Sequence, residues 1–245
     1  MRKLSKLIRY LSEFEKVRSL LKIDLLTGFS SCLKILTDRG FNSHIKNMKR
    51  LAFKTYPSSD LGGWIDYFYG IAIYAILRHK KPKVVVETGV GPGGTSAFIL
   101  KALHDNNGGK LYSIDLPGHD AAAYPAIGKT FQVHIPAGFT AGWLVPLELR
   151  DRWELIIGDS REKLPDLMQR LGGFDIFLHD SLHTDEHIYF EFETVLPYIN
   201  KDGILLCDDV TKDWSLAFER FCLDKGIDYI NFNNRLGVAR LVKKS

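Results

Sequence analysis

From residue 83 onward, short apolar runs alternate with stretches of helical periodicity, and this alternation strongly limits the possible folds. Five runs have the length and composition of buried strands, at residues 83–86, 111–114, 154–157, 175–178 and 204–207. Helical patterns lie between or after them, at about 94–104, 160–171, 186–199 and 213–225. Strands that alternate with helices predict an α/β fold, in which helices cover both faces of a parallel sheet.

The C-terminal end follows a different pattern. Two strand-like runs, 227–232 and 236–242, are separated only by Asn233-Asn234-Arg235. A polar link this short is typical of a hairpin, so we expect two antiparallel strands at one edge of the sheet.

The first 60 residues are basic and have a helical pattern. Helices are predicted at 3–21 and 42–54, before Tyr56-Pro57-Ser58-Ser59 breaks the chain, and a third helix at about 64–78. Residues 1–60 contain 13 Lys or Arg and 5 Asp or Glu, a net charge of +8, whereas residues 61–245 carry −4. We therefore expect a basic N-terminal helical extension, 1–60, and one main domain, 61–245.

This extension could contact nucleic acid, an anionic membrane or an acidic substrate, and a non-catalytic binding module is one hypothesis for the chain. A solvated helical face is the simpler interpretation, and no nucleic-acid partner is expected. No apolar run approaches ~20 residues, so no membrane span is expected. The three cysteines, Cys32, Cys207 and Cys222, are too few for a disulfide framework. These features favour a cytoplasmic protein, and homo-oligomers are compatible with them.

A glycine-rich loop follows the first predicted strand of the main domain. Residues 84–87 run directly into Gly89, Gly91, Gly93 and Gly94, and a helix follows. Glycines at such a turn let a ligand approach the main chain closely. The spacing Gly89-x-Gly91-x-x-Gly94 matches a dinucleotide fingerprint, with Asp115 about 20 residues later, so an NAD-binding oxidoreductase is one hypothesis.

Glu87 favours a different ligand, because a carboxylate at the strand's end repels a pyrophosphate but attracts the ammonium group of S-adenosylmethionine. We therefore predict that Glu87 and the loop glycines hold S-adenosylmethionine, together with Ser96 in the following helix. Asp115 ends the second strand, where its carboxylate can accept hydrogen bonds from both ribose hydroxyls. Asp159 and Ser160 follow the third strand and are candidates for binding the adenine amino group, although either one could instead cap the next helix.

Acidic residues also end the fourth and fifth strands, where Asp180 and then Asp208 and Asp209 occur. The carboxyl ends of neighbouring parallel strands converge on one crevice, so the three carboxylates are expected to approach each other. Like charges at close range are costly unless a cation lies between them, and an all-oxygen set favours Mg²⁺, Mn²⁺ or Ca²⁺. The alternative is that Asp208 or Asp209 caps the segment leading to Trp214.

Three histidines, His179, His183 and His187, surround this acidic turn. Their order is not H-E-x-x-H, so a zinc site is not expected. His183 is instead predicted to be the general base that takes a proton from a substrate hydroxyl, with a metal-bound carboxylate such as Asp180 as the alternative acceptor. Residues 117–150 are longer than an ordinary connection and are interpreted either as a lid in which Trp143 stacks near the ligand or as a surface excursion with a buried tryptophan.

These motifs together resemble a small family of class I S-adenosylmethionine-dependent methyltransferases. The family is related to metal-assisted O-methyltransferases that act on the sugars of macrolide antibiotics, and to cephalosporin-hydroxylase-like proteins. The resemblance covers about residues 60–240 and depends on Val-Val-Glu-Thr-Gly-Val-Gly-Pro-Gly-Gly-Thr-Ser (85–96), Ser-Ile-Asp (113–115), Gly-Trp-Leu-Val-Pro (142–146), Arg-Trp-Glu-Leu-Ile-Ile-Gly-Asp-Ser (152–160), His-Asp-Ser-Leu-His-Thr (179–184) and Leu-Cys-Asp-Asp-Val (206–210).

The resemblance implies a Rossmann-like, seven-stranded, mostly parallel sheet that ends in an antiparallel hairpin. It also implies cofactor, metal and base roles for the residues named above, although relatives often have an aromatic residue where this chain has Asp185. The expected function is divalent-metal-assisted methyl transfer to an oxygen of a small hydroxylated acceptor, of the sugar or natural-product type. A metal-independent N- or C-methyltransferase on the same fold stays open.

Overall fold

The computed structural model describes residues 2–55, 67–116 and 140–242. Within them, the segments of helical periodicity form the helices α1 (Arg2–Leu21), α2 (Leu25–Thr37), α3 (Arg39–Thr55), α4 (Tyr67–Lys80), α5 (Gly94–Asp105), α6 (Ser160–Leu171), α7 (Asp185–Val195) and α8 (Ala217–Lys225). The apolar runs form the strands β1 (Val84–Thr88), β2 (Lys110–Asp115), β3 (Trp153–Ile157), β4 (Phe174–His179), β5 (Ile199–Cys207), β6 (Asp228–Phe232) and β7 (Leu236–Arg240).

These strands form one sheet in the order β3-β2-β1-β4-β5-β7-β6. Strands β1 to β5 are parallel, whereas β7 pairs antiparallel with both β5 and β6. The predicted Rossmann-like α/β fold with a C-terminal antiparallel hairpin is therefore confirmed. Because the chain reverses its winding direction between β1 and β4, the carboxyl ends of these two strands border the crevice in which such folds bind ligands.

Successive residues of the central strands point to opposite faces of the sheet and enter two separate cores. On β1, Val85 is buried with the apolar residues of α4 and α5, whereas Val86 is buried with those of α6, α7 and α8. A strand covered on both faces reads as a continuous apolar run, which is why 84–86 lacks polar alternation.

The N-terminal helices pack on the first of these cores. Val17 and Leu21 of α1 and Ile35 of α2 are buried in it, and Tyr10 stacks on Phe68 with 4.2 Å between ring centroids. Helix α2 packs mainly against α4. No helix among the described residues is long and apolar enough to cross a membrane.

One helix and several element boundaries differ from the sequence prediction. Helix α2 was not predicted, the helix expected at 186–199 ends at Val195, and the helix expected from 213 begins at Ala217. Pro197 lies in a 3₁₀ turn directly after α7, where its ring cannot continue an α-helix, and Ile199 already begins β5. The Ser215 hydroxyl accepts the backbone N–H of Ala217, which fixes the start of α8 two residues later.

Candidate cofactor and acceptor site

The glycine loop between β1 and α5 is held in a left-handed backbone conformation at several positions. Gly89 has φ +80° and Gly93 has φ +86°, values that favour glycine. A Cβ atom at Gly89 would lie 2.0 Å from the carbonyl oxygen of Asp180, and one at Gly93 would lie 2.7 Å from Cα of Gly142. Glycine is therefore required at these two positions, because the loop packs directly against the segment after β4 and against residues 142–144.

Glu87 ends β1 below this loop and is fully buried. Its Oε2 atom accepts hydrogen bonds from the hydroxyls of Ser96 at 2.7 Å and Ser113 at 2.6 Å. Its Oε1 atom is buried and has no hydrogen-bond partner among the described residues. Burial raises the pKa of Glu87 to about 7, although the two serine hydroxyls oppose this shift. The structure thus gives Ser96 a position from which it orients Glu87.

Asp115 lies at the end of β2, next to the same loop. Its Oδ2 atom accepts the backbone N–H of Gly91 at 2.9 Å, and its Oδ1 atom accepts that of Leu116 at 2.8 Å. A carboxylate at this position is the kind of group that accepts hydrogen bonds from ribose hydroxyls.

Asp159 and Ser160 follow β3, and their contacts favour structural roles. Asp159 is the N-cap of α6, and its Oδ1 atom accepts the backbone N–H of Arg161 at 2.8 Å. Ser160 is buried, and its hydroxyl lies 3.0 Å from Nε2 of His187. The capping alternative is thus the one observed for Asp159, while Ser160 faces the helix α7 side.

Asp180 and Asp208 directly follow β4 and β5, and their carboxylates converge as expected. Ligand atoms of Asp180, His183 and Asp208 all lie within 4.8 Å of one another. Burial and the charge of Asp208 raise the pKa of Asp180 well above its ordinary value. The cost of gathering these groups without a counter-charge is what a bound divalent cation would remove.

Asp209, the third aspartate predicted to bind the metal, lies outside this group of three and has a contact with Arg235. It has φ +49°, and its Oδ1 atom forms an ion pair with Nη2 of Arg235 at 3.1 Å. Burial and Asp208 raise the pKa of Asp209 to about 6, while Arg235 opposes the shift. The structure therefore assembles Asp180 and Asp208 with His183, and it places Asp209 against the β6–β7 turn.

His183 completes this cluster from the segment before α7. Its Nε2 atom lies 4.0 Å from Oδ1 of Asp180, and its ring lies beside those of Trp214 and His179. Burial and the charge of His179 lower the pKa of His183 to about 4. A neutral imidazole at physiological pH has a lone pair that can accept a proton or ligate a metal.

One side chain joins the glycine loop to the acidic cluster. The hydroxyl of Thr95, in the first turn of α5, donates to Oδ2 of Asp180 at 3.4 Å. In addition, the backbone N–H of Asp180 donates to the carbonyl of Thr88 at 2.9 Å. The two predicted half-sites therefore form one continuous site at the carboxyl ends of β1, β4 and β5.

The family model of a methyltransferase domain matches residues 86–210, which include the glycine loop, the Asp115 and Asp159 turns and the acidic cluster. This range is just over half of the 245 residues. The chain belongs to the methyltransferase domain family. The resemblance inferred from the sequence motifs is thereby confirmed, whereas no curated protein matches this methyltransferase.

Solved methyltransferase structures have the same fold at low sequence identity. A Podospora anserina methyltransferase bound to S-adenosylhomocysteine is 16% identical, with a TM-score of 0.56, and the match covers 82% of this chain and 87% of that one. A Bacillus cereus O-methyltransferase in complex with S-adenosylhomocysteine is 14% identical, with a TM-score of 0.55 and coverage of 81% and 90%. A Streptomyces achromogenes O-methyltransferase of tomaymycin synthesis, in complex with S-adenosylmethionine, is 16% identical, with a TM-score of 0.55 and coverage of 84% and 90%.

The methyltransferase also contains a buried polar network that the sequence analysis missed. Glu191 of α7 is fully buried, and its carboxylate lies at the centre of this network. Its Oε2 atom accepts from the Thr88 hydroxyl at 2.6 Å and lies 2.7 Å from Nδ1 of His179, while Oε1 lies 2.9 Å from both the Ser181 hydroxyl and Nε2 of His187. Burial opposes ionisation, but the charge and hydrogen bond of His179 prevail and lower the pKa of Glu191 below its usual range.

A sequence signal for this network existed. Glu191 lies on the same face of α7 as Ile188, Phe192 and Val195. An acidic residue therefore interrupts an otherwise apolar stripe that faces the core. Acidic residues are almost never fully buried unless they are paired. His187 precedes Glu191 by four residues and could have been identified as its partner.

Tyr69 is the second site residue that the sequence analysis missed, and no sequence pattern indicates its position near the site. It lies on α4, is 4% exposed, and its hydroxyl has no hydrogen-bond partner among the described residues. Burial and the carboxylates of Asp208 and Asp180 raise the pKa of Tyr69 well above its ordinary value. The methyltransferase thus presents a neutral phenol next to its acidic cluster.

The predicted insertion is described only in part. Residues 117–139 lie outside the described residues, whereas 140–146 form a turn that leads into a 3₁₀ helix, Leu147–Arg152. Trp143 in this turn is 5% exposed, which agrees with the buried-tryptophan interpretation. Backbone N–H groups of Gly142 and Leu144 donate to the carbonyls of Gly91 and Pro92, both at 2.8 Å, so the turn holds the glycine loop in place.

Proposed function

We propose that this methyltransferase transfers the methyl group of S-adenosylmethionine to an oxygen of a small hydroxylated acceptor, with help from a divalent cation. The observation that carries the proposal is the contact between the two half-sites. The glycine loop above Glu87 touches the backbone of Asp180, whose carboxylate converges with Asp208 and His183. A cofactor held by the loop would therefore lie beside groups suited to an acceptor hydroxyl.

The residues fit S-adenosylmethionine on three points. The buried Oε1 atom of Glu87 offers an unused acceptor for the cofactor's ammonium group, and its negative charge matches that of a cationic ligand. Asp115, at the end of β2 beside the glycine loop, offers a carboxylate to the ribose hydroxyls. The glycines leave room for close approach to the main chain, and two of the solved structures with this fold hold S-adenosylhomocysteine.

The residues also fit a divalent cation. Asp180 and Asp208 supply hard carboxylate oxygens, the ligands that Mg²⁺ and Mn²⁺ prefer, and the lone pair of the neutral His183 then stays available for a proton. When bound, such an ion lowers the free-energy cost of an alkoxide-like oxygen on the acceptor.

The chain's own side chains would then perform three tasks. Glu87 and Asp115 orient the cofactor, which supplies an electrophilic methyl group on a sulfonium. The S–CH₃ bond breaks as the O–CH₃ bond forms, and alignment of the two reactants is a large source of rate. His183, neutral near pH 7, takes the proton that leaves the acceptor hydroxyl.

Calorimetric titration with S-adenosylhomocysteine, with and without Mg²⁺ or Mn²⁺, tests the cofactor half of this proposal. We expect micromolar binding that is lost in Glu87→Gln and Asp115→Asn. No binding at millimolar ligand would disprove the proposal. For the acceptor half, a panel of sugars, polyketides and phenols is assayed for methyl transfer with chelator present or absent. Oxygen methylation that chelator leaves unchanged would remove the divalent cation from the proposal.

A further inference from the structure

Helix α2 buries one side and exposes a stripe of large apolar residues on the other. Gly28, Ser31 and Ile35 are buried on the side that packs against α4. Large apolar side chains on the other side are exposed, namely Leu25 (65%), Leu26 (81%), Phe29 (66%), Leu33 (50%) and Leu36 (49%). At 3.6 residues per turn these five fall within an arc of about 100°. Contiguous exposed apolar surface of this kind marks an interaction site.

The next helix, α3, carries a stripe of cations. It begins one residue after α2 ends and contacts α2. Arg39, Lys46 and Arg50 are exposed, and their spacing of seven and four residues places them within an arc of about 40°. Neither α2 nor α3 contains an aspartate or a glutamate.

The two acidic residues that flank α2 are already engaged. Oδ1 of Asp24 accepts the backbone N–H of Thr27, and Oδ1 of Asp38 accepts that of Phe41. Oδ2 of Asp38 also pairs with Lys101 at 2.9 Å. These carboxylates therefore serve as helix caps, and they do not offset the charge of the cationic stripe.

We propose that the exposed apolar stripe of α2, together with the exposed cations of the adjacent α3, docks this protein on an anionic lipid surface. We define the α2–α3 face as the five apolar residues of α2 together with Arg39, Lys46 and Arg50. The apolar side chains would enter the boundary between headgroups and acyl chains, while the cations contact lipid phosphates. This mode of binding requires no membrane-spanning helix, and none occurs among the described residues.

The charge and the apolar stripe of the α2–α3 face favour an anionic bilayer over the two nearest alternatives, which are a second copy of the chain and a nucleic acid. A second copy of the chain would bring two cationic stripes together without a carboxylate on either helix, and residues 1–60 carry a net charge of +8. Like charges placed across an interface oppose association. A nucleic acid would satisfy the cations but would leave the leucine and phenylalanine stripe in water. An anionic bilayer meets both requirements.

Vesicle sedimentation of the full chain tests the proposal. The probes are phosphatidylcholine vesicles and vesicles of phosphatidylcholine and phosphatidylglycerol in equal parts, each at 0.1 and 0.5 M NaCl. We expect at least tenfold stronger partitioning onto the anionic vesicles, and weaker partitioning at high salt because the charges are screened.

Two exposed-residue variants separate the apolar and ionic contributions. The triple variant Arg39→Gln, Lys46→Gln, Arg50→Gln should lower partitioning by roughly 100-fold, at about fivefold per cation. The double variant Leu26→Ser, Phe29→Ser should lower it by at least tenfold. Matched controls change exposed residues elsewhere and should bind like the parent protein, namely Lys83→Gln, Lys201→Gln, Lys212→Gln and, separately, Leu147→Ser, Leu223→Ser.

The remaining outcomes each overturn the proposal. One is absence of partitioning onto anionic vesicles, and another is an equal loss in the control variants. Light scattering that shows a dimer in the parent protein and a monomer in Leu26→Ser, Phe29→Ser, without vesicle binding, would assign the face to self-association. Salt-sensitive binding of duplex DNA in place of vesicles would assign it to nucleic acid.

Discussion

Nδ1 of His179 lies 2.7 Å from Oε2 of Glu191, and both side chains are fully buried. The pair joins the end of β4 to the middle of α7, on either side of the loop that carries Asp180 and His183. Glu191 also binds Thr88 at the start of the glycine loop and Ser181 next to Asp180. It is therefore placed to position both halves of the active site without touching substrate.

We expect Glu191→Gln to lower the free energy of unfolding by about 3–5 kcal/mol, because one amide oxygen cannot replace a carboxylate that serves four partners. Urea unfolding measures this loss, and kcat should fall more than KM rises because the Asp180 loop is displaced. Glu193→Gln is the matched control on the same helix, since Glu193 forms an exposed pair with Lys225, and it should cost under about 1 kcal/mol. Equal effects of the two variants would contradict a positioning role for Glu191.

Acidification should weaken the stabilisation that ionised Glu191 provides in its pair with His179. Its folded-state pKa is lowered, so the stability that it contributes is present above its ordinary pKa and is lost as the pH falls through the folded value. The parent protein should therefore lose stability relative to Glu191→Gln on acidification. A constant difference in unfolding free energy between the two proteins from pH 7 to pH 3 would be inconsistent with this assignment.

Glu87 should make the affinity for S-adenosylmethionine decrease as the pH falls below 7. Its pKa is raised to about 7, and only its ionised form attracts the cofactor's ammonium group. The Kd of S-adenosylmethionine should therefore rise about tenfold for each pH unit below 7. Glu87→Gln should bind weakly and without this dependence, and a parent Kd that is flat between pH 8 and 6 would refute the predicted ion pair.

The same substitution should stabilise the protein without cofactor. A raised folded-state pKa means that the carboxyl group contributes its full stability below pH 4.5 and loses it as the pH rises to about 7. Glu87→Gln removes this cost and retains an oxygen that can accept from Ser96 and Ser113. We expect a gain of about 1–3 kcal/mol in unfolding free energy at pH 8, measured by urea denaturation.

Gly89→Ala should damage both stability and activity. The added Cβ would meet the Asp180 carbonyl oxygen at 2.0 Å, in a backbone conformation with φ +80°, and we expect a loss of about 2–4 kcal/mol. Gly172→Ala is a matched control, because Gly172 has φ +65° with open space around it and should show the conformational cost alone, about 1 kcal/mol. Thermal unfolding and single-turnover methyl transfer compare the two variants, and similar losses in both would rule out the proposed steric contact.

Metal binding should distinguish Asp208 from its neighbour Asp209. Both carboxylates lie near Arg235, Asp208 at 3.8 Å and Asp209 at 3.1 Å, but only Asp208 also converges with Asp180 and His183. Calorimetry with Mn²⁺ should show binding to the parent protein that Asp208→Asn abolishes and that Asp209→Asn weakens less than tenfold. The reverse ranking would restore the set of three aspartates expected from the sequence.

The sequence predicted the fold well because each central strand is buried on both faces and each is followed by a polar turn. The continuous apolar run at 84–86, for example, is typical of a strand that is buried on both faces of a parallel sheet. Helix α2 was missed because its large apolar residues are not on the side that it buries. The buried side carries Gly28, Ser31 and Ile35, whereas the leucines and Phe29 are exposed, so no apolar stripe marks the core-facing side.

The site was predicted less completely, because sequence order does not give side-chain direction at a turn. Asp208 and Asp209 are neighbours, yet the left-handed backbone at Asp209 turns its carboxylate toward Arg235. Tyr69 reaches the acidic cluster from α4, more than 100 residues before Asp180, and no local pattern encodes that proximity. Glu191 was identifiable in principle, but apart from His187 its partners come from two other segments, the end of β1 and the end of β4 with the loop after it.

The contact between Gly89 and the carbonyl of Asp180 has a consequence for how such an enzyme can acquire new acceptors. Changes in the loop after β4 would alter acceptor choice, but they would also shift the backbone on which the cofactor loop rests. Variants selected for a new acceptor should therefore show altered S-adenosylmethionine affinity even when every substitution lies outside the cofactor pocket. Adaptation to a new substrate would then proceed through pairs of changes, one in each loop.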